Sequence, residues 1–155
     1  MTRDEEAMRL ALAEAELALS TGDVPVAAVI LDADGSVIAT GRNERERHQD
    51  PTAHAEVVAI RRAAEVRGDW HLTDTTLVVT LEPCVLCAGA ILAARIPRIV
   101  FGAWDEKAGA AGSVYDLLRD RRLNHRAEVV GGVLEDQCGR ILSAFFRDRG
   151  EATEF

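Results

Sequence analysis

The chain is short of cysteine, aromatic residues and lysine, and each shortage excludes something. Three cysteines in 155 residues are too few for a disulfide framework and suit a reducing compartment. The longest uncharged apolar stretch, residues 84–94, falls far short of the roughly 20 residues that cross a bilayer. Met1-Thr2-Arg3-Asp4-Glu5-Glu6 has no basic region followed by an apolar one, so no secretory signal is expected and a cytoplasmic, membrane-free protein is. Repeats, low-complexity segments and linkers are also missing, which predicts one domain over residues 1–155. Of the 18 basic residues only Lys107 is a lysine, and the net charge is -8. That balance is unusual for a chain that holds nucleic acid, where positive charge must face the phosphates, so the placement of the arginines matters more than their number.

Against this background two short segments stand out. His54-Ala55-Glu56 and, further on, Glu82-Pro83-Cys84-Val85-Leu86-Cys87 supply one imidazole, two thiols and a spare carboxylate. Catalytic zinc commonly takes three protein ligands and keeps a fourth position for water, and Cys₂His is one such set. Cys84 and Cys87 are three apart, on one face of a helix that Pro83 is suited to start. The positive end of that helix favours the thiolates that bind metal. Glu56 lies two residues beyond His54, beside the metal without ligating it, and is the expected proton carrier for a metal-activated water. This spacing resembles the signature of zinc nucleobase deaminases.

Hydrophobic periodicity and turn residues outline the fold. Thr2 and Glu5 form a capping box for a helix with an apolar stripe of Met8, Ala11, Leu12, Ala15 and Leu19, ending near Gly22. Residues 24–31 and 36–41 are expected strands joined by an Asp34-Gly35 turn. A second helix is expected from Asp50-Pro51-Thr52 to about Arg67, a strand over 76–80, and the cysteine helix over 84–94. A strand over 98–103, a loop over 105–113, a helical turn over 114–118, a strand over 127–131 and a helix over 134–147 complete the chain. Cys138 falls on the apolar face of that last helix with Leu134, Ile141, Leu142 and Phe145, a packing position rather than a ligand. Strands alternating with helices predict an α/β protein in three layers, α/β/α.

Further segments extend a likeness along most of the chain: Asp23-Val24-Pro25-Val26, Gly41-Arg42-Asn43, residues 50–56, 80–89, 98–103 and 109–113, Asn124-His125-Arg126 and Phe145-Phe146-Arg147. In order and spacing these resemble the TadA family of bacterial tRNA-specific adenosine deaminases, in the cytidine deaminase-like superfamily. The resemblance implies a five-stranded mixed sheet, one Zn²⁺ per subunit on His54, Cys84 and Cys87, and Glu56 as the catalytic proton shuttle. It implies conversion of adenosine to inosine at the wobble position of a tRNA anticodon stem-loop by a homodimer. Asn43, Asp105, Ala55 and Val26 become candidate substrate contacts. Arg140 and Arg147, seven apart on one face of the last helix, become candidate RNA contacts. The chain departs from the family pattern at Ala27-Ala28, where a glycine is familiar, at Trp104, where a basic residue is familiar, and in a less basic tail after Phe146.

Other readings stay open at this level. The Cys-x-x-Cys could be a redox pair. A structural zinc would need a fourth ligand, and His48, His71, His125 and Cys138 lie outside the motifs. The same metal site could serve a free nucleobase or nucleoside such as guanine, cytosine or cytidine. A non-catalytic zinc-binding subunit would have no use for Glu56. Asn43 and Asp105 could be an ordinary turn residue and a solvated loop carboxylate, and Arg140 could pair with Asp136 on a solvated face.

Overall fold

In the computed structural model, which describes residues 1–150, five strands form one mixed sheet in the order β2-β1-β3-β4-β5. The strands are β1 (Ala27–Leu31), β2 (Val37–Arg42), β3 (Thr76–Leu81), β4 (Arg98–Ala103) and β5 (Glu128–Val130). β1 runs antiparallel to β2 and β3, whereas β3, β4 and β5 are mutually parallel. The helices are α1 (Arg3–Leu17), α2 (Arg45–His48), α3 (Ala55–Arg67), α4 (Val85–Ala93) and α5 (Glu135–Asp148). Alternation along the strands sorts the core into two layers. Ala28, Ile30, Leu77, Val79, Ile99 and Phe101 pack with Ala55 and Ala59 of α3 and Ala88 and Ile91 of α4. Val29, Leu31, Val78 and Val100 face the other way, onto Ala7, Met8 and Ala11 of α1 and Cys138 of α5. This is the expected α/β/α sandwich.

Local chemistry explains most boundaries. Thr2 Oγ1 accepts the Glu5 amide at 3.1 Å and starts α1. A bidentate pair, Arg98 to Asp4 at 2.9 and 2.8 Å, ties that first turn to the start of β4. Asp34 Oδ1 accepts the Ser36 amide at 2.9 Å, and Gly35 takes a φ of 88°, closing the hairpin between β1 and β2. Gly41 lies under α3, where a Cβ would come within 2.5 Å of the Ala55 carbonyl oxygen and the Ala59 amide nitrogen. The strand and the start of the helix are therefore in near-backbone contact.

Several expectations need correction. β1 begins at Ala27 rather than Val24, because Pro25 has no N–H to give and Val26 turns back to the Val24 carbonyl at 2.8 Å. The second long helix begins at Ala55, not at Asp50: the Asp50 carboxylate accepts the Thr52 amide and hydroxyl at 2.9 and 2.8 Å, which makes a turn. The short helix α2 was not foreseen; it is held by Asp23, whose carboxylate accepts the Glu46 and Arg47 amides. Residues 114–118 form no helix but fold back, with Ala111 bridged to Asp116 and the Leu117 amide on the Ala110 carbonyl at 2.9 Å. Leu19 is exposed, and Ala18 takes its place in the core. The end of the less basic tail, residues 151–155, lies outside the described residues.

Candidate active site

The sheet brings distant segments to one edge. β3 and β4 end there, and β1, antiparallel to β3, starts there; in parallel sheets ligands gather beyond the carboxyl ends of the strands. From the end of β3 the chain passes through Glu82 and Pro83 to Cys84, the N-cap of α4, and Cys87 follows in the first turn. His54 is the N-cap of α3 and Glu56 lies in its first turn. The two helices thus meet with both N-termini at the same point.

His54 Nδ1 lies 3.7 Å from Cys84 Sγ and 3.5 Å from Cys87 Sγ, and the three donor atoms all lie within 4.8 Å of one another. A tetrahedral ion about 2.3 Å from sulfur and 2.05 Å from nitrogen would separate S from N by about 3.6 Å. Both S···N separations are therefore those of a tetrahedral zinc site. The protonation of the three residues points the same way. Hydrogen bonding from the Cys87 thiol, helped by His54, brings Cys84 down to about 3 despite its burial. Cys87 moves in the opposite direction, because its bond to Cys84, its burial and the charge of Glu56 hold its proton. His54 is raised above its ordinary value by its hydrogen bond to the Cys84 thiolate, against the effect of burial.

Glu56 is buried, and desolvation raises it to about 7, with the Cys84 charge adding to the shift and its backbone hydrogen bond, His54 and Cys87 opposing it. A carboxyl poised near neutrality can both take and give a proton. It faces a cavity of about 240 Å³ whose floor is His54, Glu56 and Cys84 and whose walls include Val26, Ala55, Asn43 and Asp105. All four candidate substrate contacts meet there. Asn43 Oδ1 accepts the Arg45 amide at 3.1 Å and Arg45 Nε at 3.4 Å, which leaves the Asn43 amide hydrogens for a ligand. Asp105 Oδ1 accepts the Lys107 and Ala108 amides at 3.1 and 3.0 Å.

Val24, Arg45, Leu81, Glu82, Ala108 and Phe146 also line the cavity; none was singled out individually from the sequence as a contact. Phe146 reaches the cavity through the return of α5, whereas Glu82 lies between the end of β3 and Cys84. Ala27 and Ala28 are fully buried in β1 and absent from the lining, so they act in packing and do not narrow it. Arg140 and Arg147 lie on the exposed side of α5, outside the cavity, with no ion pair among the described residues. The neighbouring arginines differ: Arg119 is paired with Asp116 at 3.0 Å and Arg122 with Asp120 at 2.7 Å. His125 bonds the Ile96 carbonyl at 2.9 Å, away from the metal group.

Metal binding must expel these protons, so the stated directions set a pH dependence. Above the raised pKa of His54 the imidazole is already neutral and has no proton to give up. Below it the imidazolium proton must leave as well, so zinc affinity falls more steeply as pH falls. Proton release per zinc is expected to increase by about one as pH falls through that pKa. Calorimetry in buffers of different ionisation enthalpy measures it, and a constant release across the range would contradict the assignment.

The chain matches the family described as the zinc-binding region of cytidine and deoxycytidylate deaminases over residues 1–103. It is 49% identical over 148 residues to a tRNA-specific adenosine deaminase of Bacillus subtilis (strain 168), covering 96% of this chain and 91% of that protein. It is 47% identical over 148 residues to a protein of the same name from Haemophilus influenzae, covering 96% and 86%. Among solved structures, one from a study of A-to-I editing by tRNA:A34 deaminases at the wobble position of transfer RNA superposes with a TM-score of 0.84. It is 42% identical and covers 88% of this chain and 99% of the other. With its His54-Cys84-Cys87 trio at metal spacing, its five-stranded sheet and these relatives, the chain belongs to the zinc-dependent cytidine deaminase-like family, in its tRNA adenosine deaminase branch.

Proposed function

We infer that the chain, as one deaminase domain, converts adenosine to inosine at the wobble position of a tRNA anticodon. The observation that carries this is Glu56, buried and raised to about 7, facing a small cavity beside the His54-Cys84-Cys87 trio, in a chain whose relatives are named tRNA-specific adenosine deaminases. A cavity of about 240 Å³ is below the roughly 300–1,000 Å³ of drug-sized pockets and suits a single base. That base must leave its stack to enter, which favours a single-stranded loop. Zinc, held by His54 Nδ1 and the Cys84 and Cys87 sulfurs, would supply Lewis acidity that makes a water nucleophilic near neutral pH.

The protein groups do the rest. Glu56 takes a proton from the attacking water and delivers it to adenine N1 as the new bond to C6 forms. Glu56 then takes the proton of the new C6 hydroxyl and passes it to the amino group, the C6–N bond breaks as the C6 carbonyl forms, and ammonia leaves inosine behind. Val26 and Ala55 wall the ring, the Asn43 amide donates to it, and the Asp105 carboxylate accepts from ribose hydroxyls. Cytoplasmic residence follows from the substrate, and no helix among the described residues is long and apolar enough to cross a membrane.

Two surfaces extend the reading. Arg140 and Arg147 supply local positive charge to the stem-loop backbone despite the net charge of -8. On α4, Ala88, Ile91 and Leu92 are used within the chain, but Val85 and Leu86 are 50% and 42% exposed, and Gly89 and Ala93 lie exposed beyond them. A helix without a single charge, open along one apolar and small-residue face, supports a homodimer packed there.

Purified protein assayed on an anticodon stem-loop with adenosine at the wobble position, beside free adenosine, cytidine, cytosine and guanine, is expected to release ammonia only from the stem-loop. Glu56→Gln should retain zinc and lose roughly 10²–10⁴ in kcat, and near-normal turnover would rule out its role. Replacing Arg140 and Arg147 together by Ala should raise KM and flatten the salt dependence, whose slope is about -0.7 per phosphate contact on single strands. An unchanged slope would remove α5 from the RNA interface. Leu86→Asp should shift sedimentation from dimer to monomer, and a wild-type protein that sediments only as a 16.8 kDa species would eliminate the dimer.

A further inference from the structure

Glu82 is a buried carboxylate for which the deamination chemistry above has no use. Its two oxygens collect four donors from one segment. Oε1 accepts the Asp105 amide at 3.0 Å and the Ser113 hydroxyl, and Oε2 accepts the Ala111 and Ser113 amides, each at 3.0 Å. The segment 105–113 is thus wrapped around one side chain. Backbone bonds continue the wrap: the Glu82 amide bonds the Ala103 carbonyl at 2.9 Å, and the Ala110 amide bonds the Pro83 carbonyl at 2.7 Å. Cys84 itself is bridged to Gly109. A Cβ at Gly109 would collide with the Glu82 carboxylate and the Asp105 carbonyl, so the absence of a side chain there allows the close approach.

Burying a carboxylate is costly unless its lone pairs are filled, and here amides from a loop fill them. What this arrangement secures is a fixed distance between two walls of the cavity. Glu82 lies two residues before the metal ligand Cys84, while the segment it grips carries Asp105 and Ala108 into the same cavity. Without it, the wall would depend on a glycine- and alanine-rich loop with few side chains to pack.

We propose that Glu82 is a positioning residue: it locks the 105–113 segment to the metal-ligand helix, so that Asp105 meets the substrate's sugar at a set distance from the metal. The nature of that substrate rests on the function inferred above. Glu56, across the cavity on α3, is not part of the lock, so its proton transfers survive loss of Glu82 when substrate is bound. The expected signature is therefore in KM more than in kcat.

Glu82→Gln tests this with little change of shape. One end of the amide becomes a donor facing donors, so whichever way it turns, at least one of the Asp105, Ala111 and Ser113 amides loses its acceptor. Hydrogen exchange at those amides should quicken by roughly tenfold or more while β3 and β4 keep their protection. Zinc content should stay at one per chain, and KM for the stem-loop should rise roughly tenfold with kcat changed by less than about threefold. Gly109→Ala, which pushes on the carboxylate from the loop side, should give the same pattern and serves as the second variant if Glu82→Gln does not fold. Unchanged exchange at the three amides overturns the lock; loss of zinc, or a fall in kcat with KM unchanged, overturns the positioning role. If the wild-type protein leaves the stem-loop untouched, the functional inference has failed, and the exchange and zinc measurements still decide whether Glu82 holds the segment.

Discussion

Two helix N-termini bring their side chains within 4.8 Å of one another, and the arrangement of the site depends on what they bring. His54 caps α3 and Cys84 caps α4, with Cys87 one turn in. Without a cation, an imidazole and two thiols at this spacing must share protons, which drives Cys84 down and Cys87 up. A divalent ion replaces those protons and satisfies all three donors together, with both helix dipoles favouring the anionic ligands around it. The same crowding buries Glu56 and lifts its carboxyl into the range where it can exchange protons near neutral pH. Metal binding and proton transfer are thus two consequences of one electrostatic arrangement.

The scaffold exists to make that meeting possible. β3 and β4 run parallel and end at the same edge, so the turns that follow them carry Cys84 and Asp105 to opposite sides of one cavity. β1 and β2 reverse direction and bring Val26 and Asn43 to that edge from the other side. Buried carboxylates then hold the connecting segments. Asp23 collects amides of α2 beside Asn43, and Glu82 collects amides of the loop beyond β4. In both cases the acceptor is more than 20 residues from its donors, which ties loops of weak intrinsic preference to rigid elements.

Charge follows a similar division. The chain is acidic as a whole, yet many of its arginines already have partners: Arg98 with Asp4, Arg119 with Asp116, Arg122 with Asp120. Pairing within the fold, rather than the count of basic residues, decides which positive charges are free to meet a phosphate. Among the described residues Arg140 and Arg147 have no such partner, although in sequence they look no different.

Local information was enough for much of this protein. The capping box at Thr2 and Glu5, the Asp34-Gly35 turn, the bounds of β4 and the inward face of Cys138 are set by neighbours within a few residues, so they are legible in the chain itself. The metal trio is legible because ligand chemistry tolerates few residue types at few spacings. Other features depend on distant partners. The turn at Asp50 displaced the start of α3 by several residues and made His54 a cap instead of a helical residue, through competition between a side-chain bond and helix initiation. α2 exists because Asp23 reaches it from another part of the chain, and residues 114–118 fold back because the Gly109 and Ala110 carbonyls of the preceding loop accept their amides. The sequence by itself determined the donor set, the carboxylate proposed as proton carrier and the alternation that builds a three-layer sandwich, since each is a matter of residue type and short-range period. Only the tertiary structure decided the burial that tunes Glu56 and the grip of Glu82 on a loop about thirty residues away, because desolvation and long-range hydrogen bonds arise only once the chain has closed.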